Sequence, residues 1–220
     1  MTFKQNRLTK ALFDAACANR PDEILSLARQ GADIYARNEL GDTATLLLAR
    51  NSHEGAVVAL ARAYPFVLQQ KTPTGASPII FLAFQNKADV VVTLAKMDPT
   101  ALHHHDNLNC TAATWLAFHD NIEALLQLVQ IDPEILYQGR VFLKTFTLLF
   151  ECYKNPEALT ALIEAVPQIK QRPSVIADAI FDRKPKVVKA LMERGFACPH
   201  DMDEQLERAE LTWDDINALE

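Results

Sequence analysis

The chain has 220 residues, 49% of them hydrophobic and 23% charged, which is enough apolar material for one continuous folded core. Its net charge of −6 disfavours binding to nucleic acid, because neutralising phosphates requires clustered Lys and Arg. The sequence holds no long uncharged apolar run, so we expect neither a cleaved signal peptide nor insertion into a membrane. Four cysteines without Cys-x-x-Cys spacing favour reduced thiols and a cytoplasmic location.

An internal repeat organises most of the sequence. Positions 34 residues apart carry similar side chains in three sets, which are Thr43, Ser77, Thr111 and Thr145, then Val57, Val91, Leu125 and Leu159, then Leu60, Leu94, Leu128 and Leu162. A period of this length is the signature of a solenoid, in which each unit buries its apolar face against the next unit. The same positions recur once before and once after these four units, at steps shorter than 34 residues. The pattern therefore predicts six units.

Each unit is predicted to be a pair of helices. The first helices are expected at 8–19, 43–51, 77–86, 111–120, 145–154 and 174–182, and the second at 22–30, 54–63, 87–97, 122–131, 156–165 and 185–194. A Ser or Thr is expected to cap each first helix, most clearly at Ser77, which precedes Pro78. The second helices are predicted to stop at Pro65, Pro99, Pro133 and Pro167, and the first of them at Gly31.

These motifs resemble those of the ankyrin repeat family. The stretch Gly31-Ala32-Asp33-Ile34, followed by Gly41-Asp42-Thr43, is similar to the family's turn and helix start, and Gly75-Ala76-Ser77-Pro78-Ile79 repeats that frame. Ala49, Ala83 and Ala117 occupy its small-residue position. The resemblance covers roughly residues 8–200 and implies an all-α helical-hairpin solenoid with β-hairpin finger loops between units.

The domain expectation is an ankyrin-like array over residues 1–200 and an acidic C-terminal segment over 201–220. We expect that segment to form a capping helix over the last repeat, with an acidic recognition or export tail as the alternative.

The sequence also departs from the family. The His that opens the family's first helix is replaced by Leu46, Ile80, Thr114 and Leu148, so its hydrogen bond to the Thr hydroxyl is expected to be absent. Tetratricopeptide repeats share the period, but they require a Trp, Leu-Gly and Tyr pattern that this chain lacks.

No catalytic constellation is visible, and the chain is not expected to be an enzyme. The serines lie at helical or cap positions without a nucleophile-elbow pattern. His103, His104 and His105, with Cys110 and His119 nearby, could in principle bind zinc, but adjacent histidines cannot all point one way. We interpret the three as polar finger residues and predict no metal and no cofactor.

The best candidate site is the concave surface that the ankyrin resemblance implies, formed by finger tips and the ends of first helices. The predicted partner-binding residues are Leu40, Arg50, Pro73, Phe84, Gln85, Leu108, Phe118, His119, Phe142 and Tyr153. Asp42 is also placed at a finger tip. The aromatic residues either line an apolar groove or stack on one another as core, and Trp115 is expected to be core.

The predicted function is a scaffold that binds another protein through this surface, without a small-molecule substrate. A second hypothesis is a bacterial effector, delivered into a host cell and acting through the same surface. A metal-dependent enzyme is the third.

Overall fold

A computed structural model describes residues 3–119, 121–136, 164, 166–181 and 183–217. The chain divides into two compact units, 1–135 and 136–220, which are treated separately below. Every regular element in the described part is helical, and no strand occurs there. The prediction of an all-α chain is therefore confirmed for these residues.

The first unit contains four helical hairpins. Its helices are α1 (Phe3–Cys17), α2 (Pro21–Arg29), α3 (Ala44–Arg50), α4 (Glu54–Ala63), α5 (Pro78–Phe84), α6 (Ala88–Met97), α7 (Ala112–Phe118) and α8 (Ile122–Ile131). The predicted helices of this region are confirmed, with boundaries that differ by a few residues. The helices predicted at 145–154 and 156–165 lie outside the described residues, apart from Glu164.

The hairpins of the first unit are packed in sequence. Each odd-numbered helix contacts its own even-numbered partner and the odd-numbered helix of the next hairpin, and the even-numbered helices contact one another in the same order. The two layers enclose the repeated apolar side chains. Val57, Val91 and Leu125 are fully buried, as are Leu60, Leu94 and Leu128. Ala49, Ala83 and Ala117 are also fully buried, as their small size at a helix contact requires.

One type of backbone turn recurs between the two helices of a hairpin. Asn19, Ser52 and Asn86 adopt positive φ angles of 52°, 59° and 62° after their first helices. The next residue then donates its N–H to a carbonyl five positions back, as from His53 to Leu48 at 2.9 Å and from Lys87 to Leu82 at 2.9 Å. This is the Schellman arrangement, which satisfies carbonyl groups that the helix end would otherwise leave unpaired.

Pro65, Pro99 and Pro133 follow the ends of second helices as predicted, and they also begin short elements that were not predicted. The helix predicted to stop at Pro167 lies outside the described residues, apart from Glu164. Single 3-10 turns cover Pro65–Gln69, Pro99–His103 and Pro133–Leu136. Leu68 and Leu102 point from these turns into the core and are almost completely buried. Helix α2 is followed by a glycine instead of a proline. Gly31 has the predicted left-handed conformation, with φ of 97°.

The caps of the first helices follow the sequence only in part. Thr43 accepts a hydrogen bond from the Leu46 N–H at 3.4 Å. Thr111 and Thr114 form a reciprocal capping box, and their hydroxyl oxygens are 3.2 Å apart. The expectation that the hydrogen bond to the Thr hydroxyl is absent wherever the family's helix-opening His is replaced is therefore wrong at Thr114. Ser77 stands at the cap position before Pro78, but its side chain makes no cap hydrogen bond.

The second unit contains α9 (Ser174–Phe181), α10 (Pro185–Glu193), α11 (Met202–Arg208) and α12 (Trp213–Asn217), with a 3-10 turn at Pro167–Gln171. Helix α11 packs against α9, and α12 packs against α10. The turn between α11 and α12 has Glu210 at φ 55°, followed by a bond of 2.9 Å from Leu211 N to Leu206 O. The single capping helix predicted for this segment is therefore wrong in number, since two helices form a further hairpin of the same design.

Candidate binding surface

Two positions of the repeat carry most of the exposed large apolar side chains. Among the described residues, eight such side chains are exposed, and five of them occupy these two positions. Leu40 and Leu108 are at finger tips, while Phe84, Phe118 and Phe181 are each the last residue of a first helix, and Phe84 and Phe181 lie two residues before the left-handed residue of a hairpin turn. The exposure is therefore a property of the repeat and is not scattered at random over the surface.

Phe84 and Phe118 are brought together by the indole of Trp115. The ring centroids of Phe84 and Trp115 are 4.8 Å apart at 89°, and those of Trp115 and Phe118 are 6.0 Å apart at 77°. Such edge-to-face contacts add to the stability of the pair. The two phenylalanines nevertheless remain 54% and 56% exposed, so both sequence-based alternatives apply: the rings stack, and they also face solvent.

Trp115 is only half-buried, so its prediction as core is wrong in degree. Its Nε1–H donates to a carboxylate oxygen of Asp106 in the neighbouring finger at 3.3 Å. This bond anchors the polar edge of the indole beside the two phenylalanines.

Arg50 performs a different task from Phe84, although the two residues occupy equivalent positions. Its guanidinium donates a hydrogen bond of 3.0 Å to Oδ1 of Asp42, forms an ion pair with Oδ2 at 2.8 Å, and lies 5.4 Å from the centre of the Phe81 ring. Asp42 is fully buried, so its assignment to a finger tip is wrong. Burial raises the pKa of Asp42, and the charges of Arg50 and Arg37 oppose that shift. Arg50 therefore compensates a buried charge within the fold.

Gln85 and His119 join the ends of consecutive first helices. The Gln85 amide donates to the carbonyl of Arg50 at 2.8 Å, and the Nε2 of His119 lies 2.8 Å from the carbonyl of Phe84. A carbonyl oxygen only accepts, so Nε2 of His119 carries the proton. Both predicted partner-binding residues thus use their polar groups inside the protein.

The three described fingers share one turn. Asn38, Thr72 and Asp106 each open a five-residue loop, and a side-chain oxygen of each accepts the backbone N–H four positions later, at 2.9, 3.1 and 2.9 Å. The β-hairpin form implied by the ankyrin resemblance is reduced here to this turn. Leu40 and Leu108 stand at equivalent places on their loops and are 68% and 59% exposed.

Neighbouring fingers touch closely. A side chain at Gly41 would place its Cβ 2.8 Å from Cγ of Pro73, and one at Gly75 would lie 2.9 Å from the carbonyl oxygen of His105. Both glycines have φ of 80°, which other residues rarely adopt. Pro73 is exposed, and one edge of its ring is covered by the preceding finger.

The histidine cluster belongs to the scaffold. His103 ends a 3-10 turn and bonds Asp132 at 2.7 Å, while the buried His104 bonds the amide oxygen of Gln69 at 3.0 Å. The interpretation of all three as finger residues is therefore wrong for His103. Burial, assisted by the charge of Lys71, lowers the pKa of His104 to about 4. No group of three or more possible metal ligands occurs in the part of the chain that the structure describes.

Phe181 is an exposed aromatic residue at the Phe84 position of the repeat that the sequence analysis missed. It is 74% exposed and belongs to a groove of about 540 Å³ between α9 and α11, which Ile180, Arg183 and Arg208 also line. A step of 34 residues does not lead to Phe181, because the last repeat follows the one before it after only 29 residues. Alignment on the turn residues Asn86 and Arg183, which share a positive φ, places Phe181 level with Phe84. Phe142 and Tyr153, the remaining predicted site residues, lie outside the described residues.

No protein-family model matches the chain, and no curated protein matches it significantly. Among the described residues, no helix has the length and apolar character needed to cross a bilayer.

Proposed function

We propose that the chain is a divergent ankyrin-like solenoid that acts as a non-enzymatic scaffold, binding another protein through the finger tips and the ends of the first helices. The proposal is supported by the 34-residue period, the common hairpin turn and the common finger turn. A cytoplasmic location is part of the proposal, and the wide spacing of the four cysteines, without a Cys-x-x-Cys motif, supports it.

The observation that carries the proposal is the recurrence of exposed Phe and Leu at two repeat positions. Fully burying one such side chain is worth about 1.5 to 3 kcal/mol, and the fold leaves much of that free energy unused. Protein interfaces draw most of their affinity from a few apolar anchors of this kind. Phe84 and Phe118 are the strongest candidates because Trp115 holds both rings in place.

Quantitative affinity capture tests the proposal. The wild-type chain, a Phe84→Ala/Phe118→Ala variant and a Phe66→Ala variant are compared as baits. Phe66 is a matched control, since it is 64% exposed and contacts the ring of Tyr35. We expect proteins that bind wild type and the Phe66 variant equally but are lost from the double variant. Identical sets of proteins on all three baits would refute the proposal.

Thermal unfolding of the three baits completes the test. Because Phe84 and Phe118 are more than half exposed, their truncation is expected to leave a cooperative transition. A double variant that unfolds at the capture temperature would mean that the rings are structural, and it would also count against the proposal.

A further inference from the structure

The exposed side of α3, α5 and α7 forms a surface that we call the wall. It consists of the half-buried Leu47, Phe81 and Trp115 and the exposed Phe84 and Phe118. Arg50 is the single charged residue in these three helices, and both oxygens of Asp42 engage its guanidinium. The wall therefore offers a partner no charge that is not already compensated.

The polar groups along the edge of the wall are also engaged. Gln85 and His119 bond the carbonyls of Arg50 and Phe84, and the indole N–H of Trp115 bonds Asp106. Placing a charged or polar group against the wall would strip it of water without providing a new partner, which costs free energy. The complementary face of a partner is therefore apolar and uncharged.

The apolar character of the wall also favours one backbone conformation of the partner over another. An extended peptide carries backbone N–H and C=O groups along its whole length, and an apolar wall would leave those that face it unpaired. An α-helix bonds these groups internally and presents only side chains. A helix can therefore cover the wall at a lower desolvation cost than a strand.

The spacing of the wall fits a helix as well. The centroid separations of 4.8 and 6.0 Å through Trp115 set an upper limit of about 11 Å on the distance between the Phe84 and Phe118 rings, and consecutive packed helices such as those that carry them are usually 8–10 Å apart. Side chains at positions i and i+7 of an α-helix lie about 10.5 Å apart along its axis. One apolar face with residues at i, i+3 or i+4, and i+7 can thus contact both phenylalanines and the indole between them.

We propose that the wall binds a single amphipathic α-helix of a partner protein, with its uncharged apolar face against Phe84, Trp115 and Phe118. This inference rests on the proposed function and specifies the chemistry of the partner. It predicts an affinity that is nearly independent of ionic strength, because no ion pair crosses the interface.

Two displayed peptide libraries are the probes. In one, randomised positions lie on a single face of an alanine-based helix, and in the other the same number of positions is randomised in a proline-flanked extended frame. The full chain is expected to enrich the helical library, with apolar residues at i, i+3 or i+4, and i+7. Enrichment of extended or charged peptides that still require Phe84 and Phe118 would overturn the inference and leave the proposed function standing.

Affinities of an enriched helical peptide complete the test, measured by Trp115 fluorescence in a Trp213→Phe full chain. We expect the Kd to change less than about twofold between 0.05 and 0.5 M salt. Phe84→Ala/Phe118→Ala should weaken binding by about 100-fold or more, whereas Phe66→Ala should leave it unchanged.

Three further outcomes would overturn the inference. A steep salt dependence would show that charges mediate binding. Enrichment from neither library, or enrichment indifferent to Phe84 and Phe118, would count against both the inference and the proposed function. Binding to phosphatidylcholine vesicles that is lost in the double variant would assign the wall to a lipid surface instead.

Discussion

The Nε2 of His119 lies 2.8 Å from the carbonyl oxygen of Phe84, so a side chain at the end of one first helix bonds the end of the previous one. Gln85 makes the equivalent bond to Arg50. Two residue types thus perform the same function at the same repeat position, because each presents an N–H at similar reach. The ends of the first helices, where the exposed phenylalanines lie, are fixed relative to one another by these bonds.

His119→Gln is therefore expected to preserve stability, and His119→Ala to lower the free energy of unfolding by about 1 kcal/mol, the usual net value of one hydrogen bond. Urea denaturation of both variants provides the measurement. Equal losses in the two variants would show that the ring contact with Phe118, and not the hydrogen bond, is what matters.

Substitution of the finger glycines is expected to destabilise the chain. Gly41→Ala and Gly75→Ala each place a Cβ within 3 Å of the neighbouring finger, in a backbone conformation with φ of 80°. We expect each to lower the free energy of unfolding by about 1 to 3 kcal/mol. Gly55→Ala is the matched control, because Gly55 lies in α4 with no atom near its missing side chain.

The Gly55 control should move in the opposite direction. Alanine in a helix is favoured over glycine by roughly 0.5 to 1 kcal/mol, so the melting temperature of Gly55→Ala is expected to rise. If all three variants lost stability equally, the close approach of the fingers would not explain the first two.

Acidification should destabilise the protein through His104. The pKa of this buried side chain is about 4 in the folded state, whereas in an unfolded chain it is close to 6.5. As the pH falls from 6.5 towards 4, the unfolded chain gains a proton that the native protein does not. The contribution to stability thus decreases by up to about 3 kcal/mol over this window and is constant above it.

Replacing His104 with the residue of the preceding repeat isolates this effect. Gln70 occupies the equivalent position, so His104→Gln should remove this part of the pH dependence, as judged from urea denaturation at pH 7 and pH 4.5. An unchanged slope in the His104 variant would contradict the assignment.

Arg50→Ala should destabilise the protein more than an ordinary surface change. It leaves the carboxylate of Asp42 buried without its cation, at an expected cost of about 2 to 4 kcal/mol. The double variant Asp42→Asn/Arg50→Ala should recover much of this loss, because no buried charge remains. A double-mutant cycle from chemical denaturation tests the coupling, and additive losses would show that the pair is not coupled.

The hairpins were predictable because several independent sequence signals indicate the same helix positions. Residues such as Val57 and Leu60 recur at a constant step, and a helix that must bury both has few places to begin and end. The prolines at 65, 99 and 133 add an independent stop for each second helix. Agreement between these local signals explains why the helix boundaries could be placed closely.

The missed features depend on contacts between units, which a repeat pattern does not specify. Whether Phe84 is core or surface depends on how Trp115 is held by Asp106, a residue in a different element. The hairpin at 202–217 escaped detection because its acidic sequence, including Asp203 and Glu204, masks the repeat. Its turn is nevertheless closed by a non-glycine residue, Glu210, at φ 55°.

Because the hairpins repeat the same connections, the chain can change length by whole repeats. Removing residues 78–111 would join Ser77 to Ala112, so a cap residue would still precede the next first helix, and α3 would meet α7 through the same small alanines that now meet α5. One 34-residue repeat can therefore be deleted, and the remaining hairpins are still joined by a connection of the existing type. Recombination at such seams offers a route by which the number of hairpins can vary while the architecture persists.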